Sequence, residues 1–160
     1  MKISTKGRYA VTAMMDLAIN HTNGPVTLAD ISAFQGISLS YLEQIFARLR
    51  HSGLIVGTRG PRGGYRLARP AEEISVAHIL EAVNEGVDTI RCGDNQNYQN
   101  GGPCLTHELW SDLSNQIYEF LSGITLGEFV NRPALRETVY RQRAMYGRRA
   151  MIRLQDTRVA

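Results

Sequence analysis

Two cysteines and one tryptophan are all that this 160-residue chain holds of those types. Two cysteines are too few to staple a secreted disulfide scaffold. A reducing, cytoplasmic compartment is therefore expected, where thiols stay available to metals. No apolar run approaches the ~20 residues that cross a bilayer. The stretch Ala10 to Ile19 is interrupted by Thr12 and Asp16. It is periodic and lacks a small-residue cleavage site, so it reads as a soluble helix and not as a signal peptide. A glycine-rich phosphate loop, a nucleophile elbow and a catalytic carboxylate pair are all missing, which leaves an enzyme without support. No internal repeat is present. Hydrophobic residues at 43% and charged residues at 21% are ordinary globular usage, which excludes wholesale disorder and collagen-like classes. A chain of this size buries roughly 68–70% of its unfolded surface and needs no staples.

The net charge of +3 conceals a strong asymmetry. Residues 1–71 carry nine Lys/Arg against three acids, residues 72–131 carry ten acids against Arg91 alone, and residues 132–160 carry eight Arg against two acids. A basic segment points to a nucleic-acid-facing part, and an acidic one to a different task.

Helical periodicity organises the first part. Ser4 or Thr5 can cap a helix to about His21, with Tyr9, Ala10, Ala13, Met14, Leu17 and Ala18 on one face. Asn23-Gly24-Pro25 breaks the chain, and Thr27 with Asp30 forms a capping box for a short helix that ends at Gly36. Its buried stripe is Leu28, Ile31 and Phe34. Either Ser38, with Ile37 and Leu42 as a hydrophobic staple, or Ser40, paired with Glu43, can cap the next helix. That helix has Leu42, Ile45, Phe46 and Leu49 as its core face and stops at Gly53. Two strand-like runs, 54–59 and 65–68, flank Gly60-Pro61-Arg62-Gly63-Gly64, a hairpin loop by composition. A further helix is expected from Ser75 to Glu85, ended by Gly86. Residues 93–103 read as loop. A long helix capped by Thr106 then runs to about Leu121, with Leu109, Trp110, Leu113, Ile117, Phe120 and Leu121 as an apolar stripe. Its length and lack of a later core to meet suggest a partner helix in a second subunit. Thr125 and Glu128 form another capping box, and an Arg-rich tail follows, with a helix expected from Pro133 to Tyr146 and the remainder expected to be mobile.

The fold class is mainly α with a small β-hairpin wing: a winged helix-turn-helix plus a long dimerisation helix. In such modules the helix after the turn enters the major groove and its N-terminal side chains meet base edges. With the core positions removed, Ser38, Ser40, Tyr41, Glu43, Gln44, Ala47 and Arg48 remain outward. Serine bonds to any base, glutamine bidentately to adenine, and glutamate accepts from cytosine N4. Glu43 costs affinity near phosphates and suits a specificity element. Arg59, on a narrow loop with Arg62 and Arg66, suits a minor groove, where negative potential concentrates.

Lys6-Gly7-Arg8-Tyr9-Ala10, Gly36-Ile37-Ser38-Leu39-Ser40-Tyr41-Leu42-Glu43-Gln44 and Arg59-Gly60-Pro61-Arg62-Gly63-Gly64-Tyr65 resemble the iron–sulfur cluster regulators, IscR and its relatives. The likeness continues through Arg91-Cys92, Cys104-Leu105-Thr106-His107 and Ile124-Thr125-Leu126-Gly127-Glu128 and covers roughly residues 1–130. The resemblance implies a homodimeric winged-helix transcription factor that carries a 2Fe–2S cluster, senses cluster supply and controls cluster-assembly genes. By matching position, Ser38, Ser40, Tyr41 and Gln44 meet bases, Glu43 tunes sequence choice, and Arg59 serves the wing. The division expected is 1–71 as DNA-binding domain, 72–131 as cluster loop and dimerisation region, and 132–160 as tail. Partners are double-stranded DNA and a second copy, with no membrane.

Cys92, Cys104 and His107 make chemical sense as metal ligands without the resemblance. Thiolates are soft ligands suited to iron–sulfur clusters. Cys104 and His107 flank a helix N-terminus, which favours thiolate over thiol. The family pattern has a third cysteine in this loop, and its midpoint here holds Tyr98. Three explanations stay open: an oxygen ligand such as Tyr98 or Asp94 completes a labile site, the regulator is locked in its cluster-free mode, or the cysteines of a dimer share one cluster. A sensor of nitric oxide or redox stress is an alternative within the same family. An electron carrier or cluster-transfer protein is the alternative of another class, and a reading helix and wing give it no use.

Overall fold

The computed structural model describes residues 3–20, 24–61, 63–84 and 106–133, with His107 described by its backbone only. Helix α1 spans Thr5–Asn20. Ser4 is its cap: the Ser4 Oγ accepts from the backbone N–H of Lys6 at 3.1 Å and of Gly7 at 3.3 Å. Its Ala10, Ala13, Met14, Leu17 and Ala18 are buried, as the three-and-four spacing predicts.

Helix α2 spans Leu28–Gln35. Thr27 accepts from the Asp30 N–H at 3.1 Å, and its hydroxyl donates to the Asp30 carboxylate at 2.7 Å. The Asp30 carboxylate is thus turned to the Thr27 hydroxyl and not to the Thr27 N–H, so Thr27 caps the helix without the reciprocal bond of a capping box. Gly36 closes the helix in the left-handed conformation at φ 68°, which a residue with a Cβ adopts only at a cost of about 1 kcal/mol. Ile31 is buried, while Leu28 and Phe34 are half-buried.

Helix α3 spans Leu39–His51 with Ser38 at the N-cap position. Ile37 and Leu42 are 3% and 0% exposed, the burial a hydrophobic staple requires. The Ser38 side chain makes no capping hydrogen bond. Strands β1 (Ile55–Thr58) and β2 (Gly64–Leu67) form one antiparallel hairpin with Val56 opposite Arg66 and Thr58 opposite Gly64.

A single 3-10 turn at Ala71–Glu73 leads into helix α4, Val76–Ala82. Its cap is Ser75, whose hydroxyl accepts from the His78 N–H, while the His78 ring nitrogen accepts from the Ser75 N–H at 3.2 Å. The helix ends three residues earlier than the periodicity suggests. Asn84, at φ 57°, adopts a left-handed conformation just past the helix end, one asparagine tolerates better than most residues, and Gly86 lies outside the described residues. Helix α5 spans His107–Ser122 and α6 spans Leu126–Val130, the latter capped by Thr125 accepting from the Glu128 N–H. The Glu128 carboxylate pairs with Arg132 at 3.5 Å. Of the tail, residues beyond 133 lie outside the described residues.

One buried core runs through all of this. Met14 and Leu17 of α1, Ile31 of α2, Phe46 and Leu49 of α3, Ile79 and Val83 at α4 and Leu126 of α6 share it. Two ties position its layers. Gln35 at the end of α2 donates to the buried Asp16 carboxylate of α1 at 2.9 Å. The Leu126 N–H donates to the Ile74 carbonyl at 2.8 Å and the Val76 N–H to the Ile124 carbonyl at 2.9 Å, which fixes α6 to the start of α4.

The two serine/threonine positions that flank the turn differ in a measurable way. Thr27→Ala removes a cap and lowers stability by about 1 kcal/mol. Ser38→Ala removes no cap hydrogen bond and leaves stability within about 0.5 kcal/mol. Urea unfolding of the two variants distinguishes them, and equal losses would contradict the assignment of the caps.

Candidate nucleic-acid interface

Helix α3 has two faces of opposite character. Leu42, Ile45, Phe46 and Leu49 are at most 1% exposed. Ser38, Leu39, Ser40, Glu43, Gln44, Ala47 and Arg48 are all exposed. The structure thus brings Ser38, Ser40, Glu43 and Gln44 together on the solvent side of one helix, at and just after its N-terminus. The free N–H groups of the first turn lie at that same end of the helix and favour negative charge.

Tyr41 differs from its neighbours. It is half-buried and packs edge-on against Tyr9 of α1, with ring centroids 5.9 Å apart and planes at 81°. It therefore anchors the first turn of α3 to α1 while keeping part of its surface open.

The wing is attached by tight backbone approach. A Cβ on Gly63 would lie 2.5 Å from the Thr58 carbonyl oxygen, and one on Gly64 would lie 2.6 Å from the Val26 carbonyl oxygen. Only glycine fits at either position. Beyond them, Tyr65 exchanges two backbone hydrogen bonds with Val26, at 2.8 and 3.0 Å. Its ring meets Phe46 of α3 edge-on, with centroids 4.9 Å apart and planes at 69°. Tyr65 thereby joins the wing, the entry to α2 and the core face of α3. Reasoning from the sequence passed over it as a positioning residue, although an aromatic directly after a glycine pair at a strand start was a usable signal.

Arg59 and Arg66 are exposed on the hairpin, and no ion pair among the described residues takes up Arg48, Arg59 or Arg66. Arg62 lies outside the described residues. Among the described residues no carboxylate competes with a duplex phosphate for these three guanidinium groups.

The candidate ligands are only partly within view. Cys92 and Cys104, with Tyr98 and Asp94, lie outside the described residues, and His107 is the first residue of α5. Among the described residues no group of three or more His, Cys, Asp or Glu side chains is placed to hold a metal. Two thiols and an imidazole fit an iron–sulfur cluster in kind and fall one short of the four protein ligands such a cluster takes. At the start of α5 the Trp110 indole N–H donates to the Thr106 hydroxyl at 3.1 Å.

Helix α5 keeps an uncovered apolar face. Leu109 is 61% exposed and Phe120 68%, with Trp110, Leu113 and Tyr118 also exposed. No described helix is long and apolar enough to cross a membrane.

Comparison with known proteins agrees with this geometry. The family model of iron-dependent transcriptional regulators named Rrf2 matches residues 3–132. The HTH-type transcriptional regulator IscR of Pectobacterium carotovorum is 52% identical over 157 residues, which are 98% of this chain and 96% of that protein. Among solved structures, the IscR of T. potens has a TM-score of 0.67 at 37% identity, covering 81% of this chain and 86% of that one. The global cysteine regulator CymR of B. subtilis has a TM-score of 0.68 at 32% identity, covering 81% and 96%. A helix with one buried and one exposed polar face, a basic hairpin locked beside it, and a match along nearly the whole described chain lead to one conclusion: the protein is a winged helix-turn-helix transcriptional regulator of the Rrf2 family.

Proposed function

We propose that this regulator reads duplex DNA with α3 in the major groove and the hairpin at an adjoining minor groove. The observation that carries this is the exposed row Ser38, Ser40, Glu43 and Gln44 on a helix whose opposite side is fully buried. Ser38, Ser40, Tyr41 and Gln44 meet base edges or the adjacent backbone, Glu43 selects against wrong bases, and Arg59 enters the minor groove. In this reading residues 1–71 are the reading head, 72–131 the sensing and dimerisation region, and 132–160 an accessory tail. The uncovered face of α5, from Leu109 to Phe120, packs against its counterpart in a second copy, and the homodimer acts in the cytoplasm.

Binding to the selected duplex should weaken linearly in log affinity against log salt, because phosphate contacts release counterions. A sequence preference should survive at higher salt. Gln44→Ala should relax the preference at one base position, whereas Arg59→Ala should weaken sites with A·T-rich flanks. Competition binding against single-base variants of the site measures both. Equal losses on all sequences for both variants would contradict these roles.

The same reading assigns Cys92, Cys104 and His107 as the residues that hold a 2Fe–2S cluster, whose status governs the choice of DNA sites, cluster-assembly genes among them. When bound, the cluster supplies a redox- and oxygen-sensitive centre. Thiolates at Cys92 and Cys104 suit it best, and the helix start at His107 favours the thiolate form of its neighbour. An oxygen ligand in place of a third thiolate suits a sulfide-bridged iron less well, so occupancy should be low and the cluster labile. Tyr98, at the midpoint of the loop, also supports a second reading, in which the protein stays in its cluster-free DNA-binding mode. Iron and sulfide analysis of anaerobically purified protein separates them: sub-stoichiometric iron and acid-labile sulfide are expected, and their loss in Cys92→Ser. Colourless protein without iron or sulfide would leave the second reading standing.

A further inference from the structure

Leu39 is the first residue of α3, and it is 45% exposed. A single exposed leucine on a protein surface is ordinary, so exposure alone carries nothing. Its surroundings single it out. Every other leucine, isoleucine and phenylalanine of α3 is at most 1% exposed, and Leu39 is absent from the residues packed against the core. It sits between Ser38 and Ser40, both exposed. It is also one helical turn before Glu43, on the same flank of the helix, since residues four apart stack along one side. Helical side chains lean toward the N-terminus, which brings a residue of the first turn to the tip of the helix. Ile37 and Leu42 already supply the hydrophobic staple at this end, at 3% and 0% exposure, so Leu39 is not needed for it.

We infer that Leu39 is a specificity-determining residue: its side chain meets the C5-methyl group of a thymine in the major groove. That methyl is the one apolar mark on the groove edge of a base pair, and apolar side chains recognise it by contact. The hydroxyls on either side and Glu43 read polar edges, so Leu39 adds a kind of information that none of them supplies. Burying the methyl against the leucine removes apolar surface of both from water, which favours thymine over cytosine and over uracil at that position. Glu43 alone separates cytosine from thymine by an amino group. Leu39 separates thymine from any base without the methyl.

This inference rests on the reading that α3 enters the major groove, and the test separates the two. The full chain is first given a random duplex pool to select its site. Each thymine of the selected site is then replaced in turn by deoxyuridine, which removes the methyl and keeps every hydrogen-bonding group. Wild-type protein should lose about fourfold in affinity at one position of each half-site, the effect of one buried methyl-sized group. Leu39→Ala should lose affinity for the unmodified duplex and show no further loss at that same position, while Leu39→Met should keep part of the discrimination. Leu39 is exposed and alanine is a good helix former, so the variant should melt as the wild type does. If the chain selects no sequence at all, the major-groove reading itself falls. If it selects a site and no deoxyuridine matters, or if Leu39→Ala retains the wild-type loss at that position, the role of Leu39 is overturned and the major-groove reading survives.

Discussion

An aromatic ring can lock two elements together only if the backbone that carries it is itself held. Tyr65 meets that condition. Its N–H and carbonyl both pair with Val26, so the strand cannot slide, and its ring closes on Phe46 at 4.9 Å. An edge-to-face pair contributes about 0.5–1.5 kcal/mol beyond its buried area, and each backbone hydrogen bond about 1 kcal/mol net. The individual terms are modest. Their effect is geometric, because the wing, the entry to α2 and the reading helix become one body. Without that tie Arg59 would keep its charge and lose its place relative to Gln44. In the proposed docking, with α3 and the hairpin in adjoining grooves, that spacing matters more than any single contact.

The same economy appears at the other end of α3. Tyr41 holds the first turn to α1 through Tyr9, and Gln35 holds the end of α2 to the buried Asp16. The turn between α2 and α3 is therefore fixed from both sides, with Gly36 absorbing the left-handed backbone. What remains outward on α3 is polar apart from Leu39 and Ala47. A duplex docked here as proposed would meet a preformed surface, so little ordering entropy would oppose it.

Much of the reading head was legible in the residues because its signals are local. The core face Leu42, Ile45, Phe46 and Leu49, the caps at Thr27, Ser75 and Thr125, and the left-handed Gly36 all follow from spacing and side-chain chemistry within one or two turns. Pairings between distant segments were not legible. The bridges Val26 to Tyr65 and Ser75 to Thr125 join residues that no periodicity connects. The choice between Ser38 and Ser40 was likewise open, because both offer a hydroxyl at a plausible position and only the backbone path decides. Tyr41 looked outward by spacing and proved half-buried, since Tyr9 covers one side of it. The end of α4 at Ala82 came earlier than the periodicity suggested, with Asn84 in a left-handed conformation two residues on. The proposal of Cys92 and Cys104 as ligands rests on donor chemistry and resemblance, since they lie outside the described residues.

The central claim is that α3 and the hairpin act on DNA as one rigid surface. A crystal structure of the protein on the duplex it selects tests this most directly. The account predicts α3 in the major groove with Ser38, Ser40 and Gln44 within hydrogen-bond reach of base edges or the adjoining backbone, and Arg59 in the neighbouring minor groove. It also predicts the Tyr65 and Phe46 rings still about 4.9 Å apart. A duplex held elsewhere, with the exposed row of α3 facing solvent or the hairpin detached from Phe46, would contradict it.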